Sequence, residues 1–243
     1  MTMNKKIEKD PVLIAGAARS GTSIVAGVIN KCGAFAGETF GPNRYNQRGL
    51  FENTKIRNTI VKPYLEKLGV DPKGQYPLPD PETVPIPNDW RKRVEDVFLE
   101  EGYKGSPWMC KEPKMCLFWP VWQHAFPDAK WIIVRRRTGD IVSSCMKTAF
   151  MNAFRNRDGW IWWVRQHEKR FVEMIQAGMN VKIVWPEKML YGNYVEIQDT
   201  IEWLGLEWQP EIVHDFIDTK LWSSYNKKRK GVSNGDPNNG NRS

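Results

Sequence analysis

Residues 12–17, VLIAGA, form an apolar run without alternation that ends in small side chains. Such a run suits a strand buried on both faces of a parallel sheet. It passes straight into GAARSGTS (Gly16–Ser23), a turn of glycine and small polar residues. Ile24, Val25, Val28 and Ile29 then recur at helical spacing until Gly33, where a helix would stop. A buried strand joined to a helix by a tight glycine turn points backbone N–H groups and the positive end of the helix dipole at one place. An anion belongs there.

The rest of the chain repeats the alternation. Strands are expected at Trp108–Lys111, Lys130–Arg135 and Val181–Trp185. Helices are expected over 54–68, 118–125, 138–148, 160–176, 195–204 and 210–216. With no internal repeat, this order predicts an α/β fold, a mostly parallel central sheet flanked by helices. Within the long helix, Trp160, Trp163, Val164, His167, Phe171, Met174 and Ile175 make an apolar stripe that reads as core. Six prolines between Pro72 and Pro87 forbid regular structure, and 72–107 is expected to be a Pro-rich excursion or lid. At 243 residues the chain is read as a single domain, 1–243.

Charge and cysteines narrow the function classes. The N-terminal MTMNKKIEKD meets only a short apolar stretch before Arg19, too short for a signal h-region or a membrane span, so a cytoplasmic protein is expected. Cys32, Cys110, Cys116 and Cys145 show no zinc-ligand spacing and are read as buried reduced thiols, which predicts no metal. The net charge of +8 suits an anionic partner. The basic end, Lys227–Lys230 followed by GVSNGDPNNGNRS, reads as a frayed tail or a phosphate-binding loop.

The turn is one residue away from the nucleotide-triphosphate form GxxxxGK[ST]: Thr22 stands where the lysine should be, and Arg19 supplies a cation three residues earlier. An Arg or Lys before Ser-Gly-Thr resembles the 5′-phosphosulfate loop of the sulfotransferases that use 3′-phosphoadenosine 5′-phosphosulfate (PAPS). The resemblance implies a P-loop NTPase-like sulfotransferase fold. It further implies that Arg19 neutralises the sulfonate and leaving phosphate, and that Ser20, Gly21, Thr22 and Ser23 hold the 5′-phosphate. VRRRTGDIVSS (Val134–Ser144) resembles the 3′-phosphate signature R-x-x-x-D-x-x-x-S, with Arg136, Asp140 and Ser144 in register. Asp140 would cap the helix or pair with an arginine. The tail RKGVSNGDPNN (Arg229–Asn239) resembles the RKGxxGDxxN segment of cytosolic members, implying donor contacts from Arg229, Lys230 and Gly231; Pro237 replaces the usual tryptophan and one residue is inserted.

The same resemblance suggests the chemistry. Lys111, in KEPK, stands where the family often places a lysine at the sulfonate, but the histidine expected two residues later is Pro113. NRYNQRGLFEN (Asn43–Asn53) resembles the bacterial N-x-x-G-x-x-E pattern of the carboxylate-base branch. Glu52 is therefore the candidate base, provided burial raises its pKa, and Glu38 is the reserve. The bland alternative is that Glu52 salt-bridges Arg48 or Lys55. Trp185 is the first choice to cover the adenine, and His124, His167 and His214 read as structural. The expected partners are PAPS, its desulfated product PAP and an acceptor that is a carbohydrate, lipid, small alcohol or peptide; the sequence leaves that choice and the oligomeric state open. Nucleic acid is not expected. Two other classes compete: a P-loop kinase, which lacks its lysine and a Walker B aspartate, and a polyanion binder, whose cations would form one stripe.

Overall fold

The computed structural model describes residues 7–44 and 46–217. Four strands, β1 (Val12–Ala15), β2 (Met109–Lys111), β3 (Lys130–Val134) and β4 (Val181–Val184), make an all-parallel sheet in the order β2-β1-β3-β4. Alternate residues of β1 enter two different cores. Leu13 and Ala15 face one side with Trp131 and Ile133; Val12 and Ile14 face the other with Ile132 and Val134. Both faces are thus covered, which is why the strand sequences read as unbroken apolar runs.

The first face is covered by α3 (Trp90–Glu100) and α4 (Trp119–Ala125), which follows a 3-10 turn at Pro113–Phe118. Trp90, Trp108, Trp122 and Trp131 are buried there among Phe98, Phe118 and Phe126, with Trp108 Nε1 donating to Lys9 O. The second face is covered by α1 (Thr22–Lys31), α8 (Val195–Trp203) and α9 (Pro210–Phe216). A third cluster joins α5 (Thr138–Cys145) to α6 (Arg157–Gln176) through Ile141, Val142, Trp160 and Trp163. A short α7 (Glu187–Leu190), unanticipated from the sequence, follows β4.

Three expectations change. The helix over 54–67 contains a π-helical stretch, Ile56–Val61, before α2 (Lys62–Lys67). The segment 72–107 is not a lid throughout: it is irregular to 89, but α3 then inserts Trp90, Val94 and Phe98 into the main core, each 1% exposed or less. The α6 stripe is core except for Ile175, which is 47% exposed because it lies one position past the buried face. All four cysteines are free and buried. Among the described residues, no helix is long and apolar enough to cross a membrane, and no group of three or more His, Cys, Asp or Glu could hold a metal.

Candidate active site

The turn after β1 is held by contacts only a glycine allows. A Cβ on Gly16 would lie 2.6 Å from Val134 O of β3 and 2.9 Å from Ser20 Oγ. Arg19 and Gly21 both take positive φ, 73° and 97°, so the chain coils tightly before α1. The first bonds of α1 come from the Ile24 and Val25 N–H groups to Gly21 O. Thr22 and Ser23 therefore offer N–H groups without intrahelical acceptors. Ser20 Oγ is buried and has no hydrogen-bond partner among the described residues. Open amides, an orphaned hydroxyl and a helix start together fit a bound phosphate or sulfonate.

The left-handed backbone at Arg19, an uncommon strain for a non-glycine residue, accompanies a turn of its side chain toward α5. Arg19 Nε donates to Ser144 Oγ at 3.0 Å, and Arg136 Nη1 donates to Arg19 O at 3.0 Å. Three candidates from three elements thus converge at the carboxyl ends of β1 and β3. In open parallel sheets that is where ligands bind. Burial lowers the pKa of both guanidiniums; at Arg136, Asp140 and Glu187 oppose the shift. Asp140 itself pairs with the exposed Arg137 at 2.9 Å.

A second convergence lies at the end of β2. Lys111 Nζ, on a residue only 2% exposed, sits 2.7 Å from Glu52 Oε1 and 3.4 Å from Ser23 Oγ. Arg57 Nε approaches the other Glu52 oxygen at 3.3 Å. Neighbouring Lys114 donates its Nζ to Glu112 Oε1 at 2.5 Å, with Glu112 itself buried. The position of Glu52 is set from both sides in sequence. Phe51 before it takes φ 57°, and Asn53 after it caps the next helix by accepting from Ile56 N–H at 2.9 Å.

Burial by itself would raise the Glu52 carboxyl, but Lys111, Lys114 and Arg57 outweigh it and bring the pKa down to about 2. The expectation that burial would lift this group toward neutrality is overturned, because the surroundings that bury it are cationic. Neither sequence-suggested salt-bridge partner pairs with it either. Arg48 Nη2 donates to Asp215 O at 3.4 Å, and Lys55 pairs with Glu100. Glu38 is exposed and lines a different pocket with Glu100 and Glu101. It is therefore not at this site.

Both convergences open into one cavity of about 680 Å³. Among the described residues, nine lining side chains are Lys or Arg and one, Glu52, is acidic. Arg19, Gly21, Thr22, Ser23, Lys111, Arg136 and Ser144 all line it. Trp185 does not: its ring lies against the Arg135 guanidinium, 5.1 Å away. Arg229, Lys230 and Gly231, with the basic tail 227–243, fall outside the described residues. His124 and His214 are exposed away from the cavity, and His167 is buried with Nδ1 2.9 Å from Trp163 O.

Sequence reading passed over Arg57, Lys62 and Lys114. Lys114 was within reach of it, since it closes the same KEPK that supplied Lys111. Arg57 and Lys62 were not. They are five residues apart, a spacing that scatters side chains on an α-helix, but the Lys62 N–H bonds to Arg57 O across the π stretch and both line the cavity.

The family model described as "Sulfotransferase family" matches residues 11–210. Among solved structures, the sulfotransferase domain of the Synechococcus PCC 7002 olefin synthase is similar at a TM-score of 0.52 and 13% identity, covering 95% of this chain and 82% of that one. Sulfotransferase STF9 from Mycobacterium avium is similar at 0.50 and 13% identity, covering 97% and 70%. No curated protein sequence matches the chain.

Proposed function

The chain belongs to the sulfotransferase family, and from that premise we propose that it moves the sulfuryl group of PAPS to a hydroxyl or amine acceptor. One observation carries the reading. A buried lysine, Lys111, touches both Ser23 at the anion-binding turn and Glu52, the acidic group of the cavity. Donor anion and acceptor proton would thus meet across a single side chain.

The turn amides, with the Ser20, Thr22 and Ser23 hydroxyls, hold the 5′-phosphosulfate. Arg136 and Ser144 hold the 3′-phosphate. In the transfer step the acceptor oxygen forms a bond to sulfur as the bond from sulfur to the phosphate oxygen breaks. Arg19 and Lys111 neutralise the charge gathering on the leaving phosphate, and the acceptor proton passes to Glu52. Glu52 is ionised and so able to accept, but a pKa near 2 makes it a weak base while three cations face it. Anionic donor beside Lys111 would offset that field and raise the affinity of Glu52 for a proton.

A cytoplasmic single-domain enzyme, with the basic tail closing over the 3′-phosphate, completes the proposal. Calorimetry with PAP, ATP and a DNA oligomer tests it: PAP binds best, and its affinity falls in Arg19→Ala and Arg136→Ala. A preference for ATP would instead favour a kinase, and oligomer binding with a steep salt slope a polyanion binder.

A further inference from the structure

The cavity holds more positive charge than the proposed donor needs. Arg19, Arg136 and Lys111 are assigned to the donor. Arg57, Lys62, Lys73 and Lys114 line the same space from the π stretch, the start of α2, the segment after Pro72 and the 3-10 turn, none of which carries Arg19, Arg136 or Ser144. Two of these four have internal partners: Arg57 with Glu52, and Lys114 with Glu112. Lys62 and Lys73 have no carboxylate within ion-pair distance among the described residues.

Arg57, Lys62 and Lys114 also lie close enough to act on one another, while Lys73 joins them only as a lining residue of the same cavity. The charges acting on Lys62 are Arg57 and Lys114, which oppose its protonation, and Glu112 and Glu66, which favour it; burial and the two cations prevail. Lys73 precedes Gly74, whose α-carbon packs against the Lys114 stem so closely that a Cβ there would lie 2.6 Å from Lys114 Cγ. The backbone spends regularity to build this cluster, since the π stretch is what brings Arg57 and Lys62 to one cavity. Like charges gathered in a partly enclosed space repel unless an anion enters.

We propose that the acceptor is itself an anion: a small hydroxyl compound bearing a carboxylate or phosphate, gripped by Lys62, Lys73 and Lys114 while its hydroxyl faces Glu52. This rests on the donor assignment above and deepens it. A cavity of about 680 Å³ shared with the sulfonate end of the donor leaves room for a small molecule, or for one end of a longer one. Neutral sugars and plain alcohols would leave the cluster unmatched.

The test uses the full chain saturated with PAP, at constant ionic strength, and matched probes: glycerol against glycerol 3-phosphate, and phenol against 4-hydroxybenzoate. Ligand-observed NMR reads binding. At least one anionic member binds at least about tenfold more tightly than its neutral twin, and in Lys62→Gln/Lys73→Gln that advantage shrinks about tenfold or more, the loss of at least one charge-assisted contact. The proposal is overturned if anionic and neutral twins bind alike, if neither binds, or if the double variant keeps the full preference. A variant that weakens PAP as much as the anion also overturns it, because the lysines then serve the donor. Absence of PAP affinity in the wild type is a separate result, which removes the donor reading and this one with it.

Discussion

Lys111 and Glu52 form a buried ion pair, 2.7 Å between Nζ and Oε1, that joins the end of β2 to the loop before the π-helical stretch. Removing one partner of such a pair leaves an unmatched charge in a low dielectric, at about 3–5 kcal/mol, whereas replacing both is far milder. Glu52→Gln and Lys111→Met should therefore each lower the urea midpoint strongly, and the double variant should recover much of the loss. Additive losses would mean the two charges are solvated independently.

The same Glu52→Gln change should slow transfer from labelled PAPS by about 100-fold or more, the usual scale of a lost general base. Single-turnover rates in donor-saturated enzyme check this. Transfer at the wild-type rate would remove Glu52 from the proton path.

Two buried groups make stability fall with acid in different windows. His167 is 1% exposed, and burial lowers its pKa to about 4 from an ordinary 6.5. A depressed folded pKa makes protons favour the unfolded chain, so stability present above pH 6.5 drains as pH falls toward 4. The loss is about 3 kcal/mol. Glu52, lowered to about 2, contributes above its unfolded value of 4.5 and loses that contribution as pH drops from there toward 2. Urea unfolding across pH 4–7 should show the first slope in the wild type and a flatter curve in His167→Leu.

Gly27 of α1 lies against Phe216 of α9, whose ring meets Phe51 edge-on at 5.8 Å, and Phe216 lines the cavity. A Cβ on Gly27 would stand 2.2 Å from Phe216 Cζ and 2.9 Å from Phe51 Cε2. Gly27→Ala should cost about 1–3 kcal/mol through overpacking despite its better helix propensity. Differential scanning calorimetry of Gly27→Ala and Gly27→Ala/Phe216→Leu checks it, with the second variant regaining stability.

Arg19 Nε donates to Ser144 Oγ at 3.0 Å. Arg19→Ala should weaken PAP by about 10–100-fold, from a lost charge-assisted contact, and Ser144→Ala by less, since a neutral hydroxyl contributes about 0.5–1.5 kcal/mol. Calorimetric titration of each variant checks the order, and equal losses would mean that Arg19 makes no charge-assisted contact to the nucleotide.

The amino-acid sequence by itself determined the parallel α/β architecture and the glycine turn after β1. Both rest on local physics: runs such as VLIA and KWIIV are apolar on both faces, and Gly16 and Gly21 permit a turn few other residues allow. Arg19, Arg136 and Ser144 were also legible as candidates, because each belongs to a short motif that spans a strand end and the helix after it. Only the tertiary structure decided the electrostatics of Glu52, whose pairing with Lys111 spans 59 positions in the chain. It likewise removed Trp185 from the cavity, set α3 in the core in place of a lid, and gathered Arg57 and Lys62 through a π-helical register that leaves no periodic mark. The turn depends on backbone geometry a few residues long, which local composition encodes. The charge environment depends on which distant segments pack together, and side-chain field strength is set by those distances and by the exclusion of water.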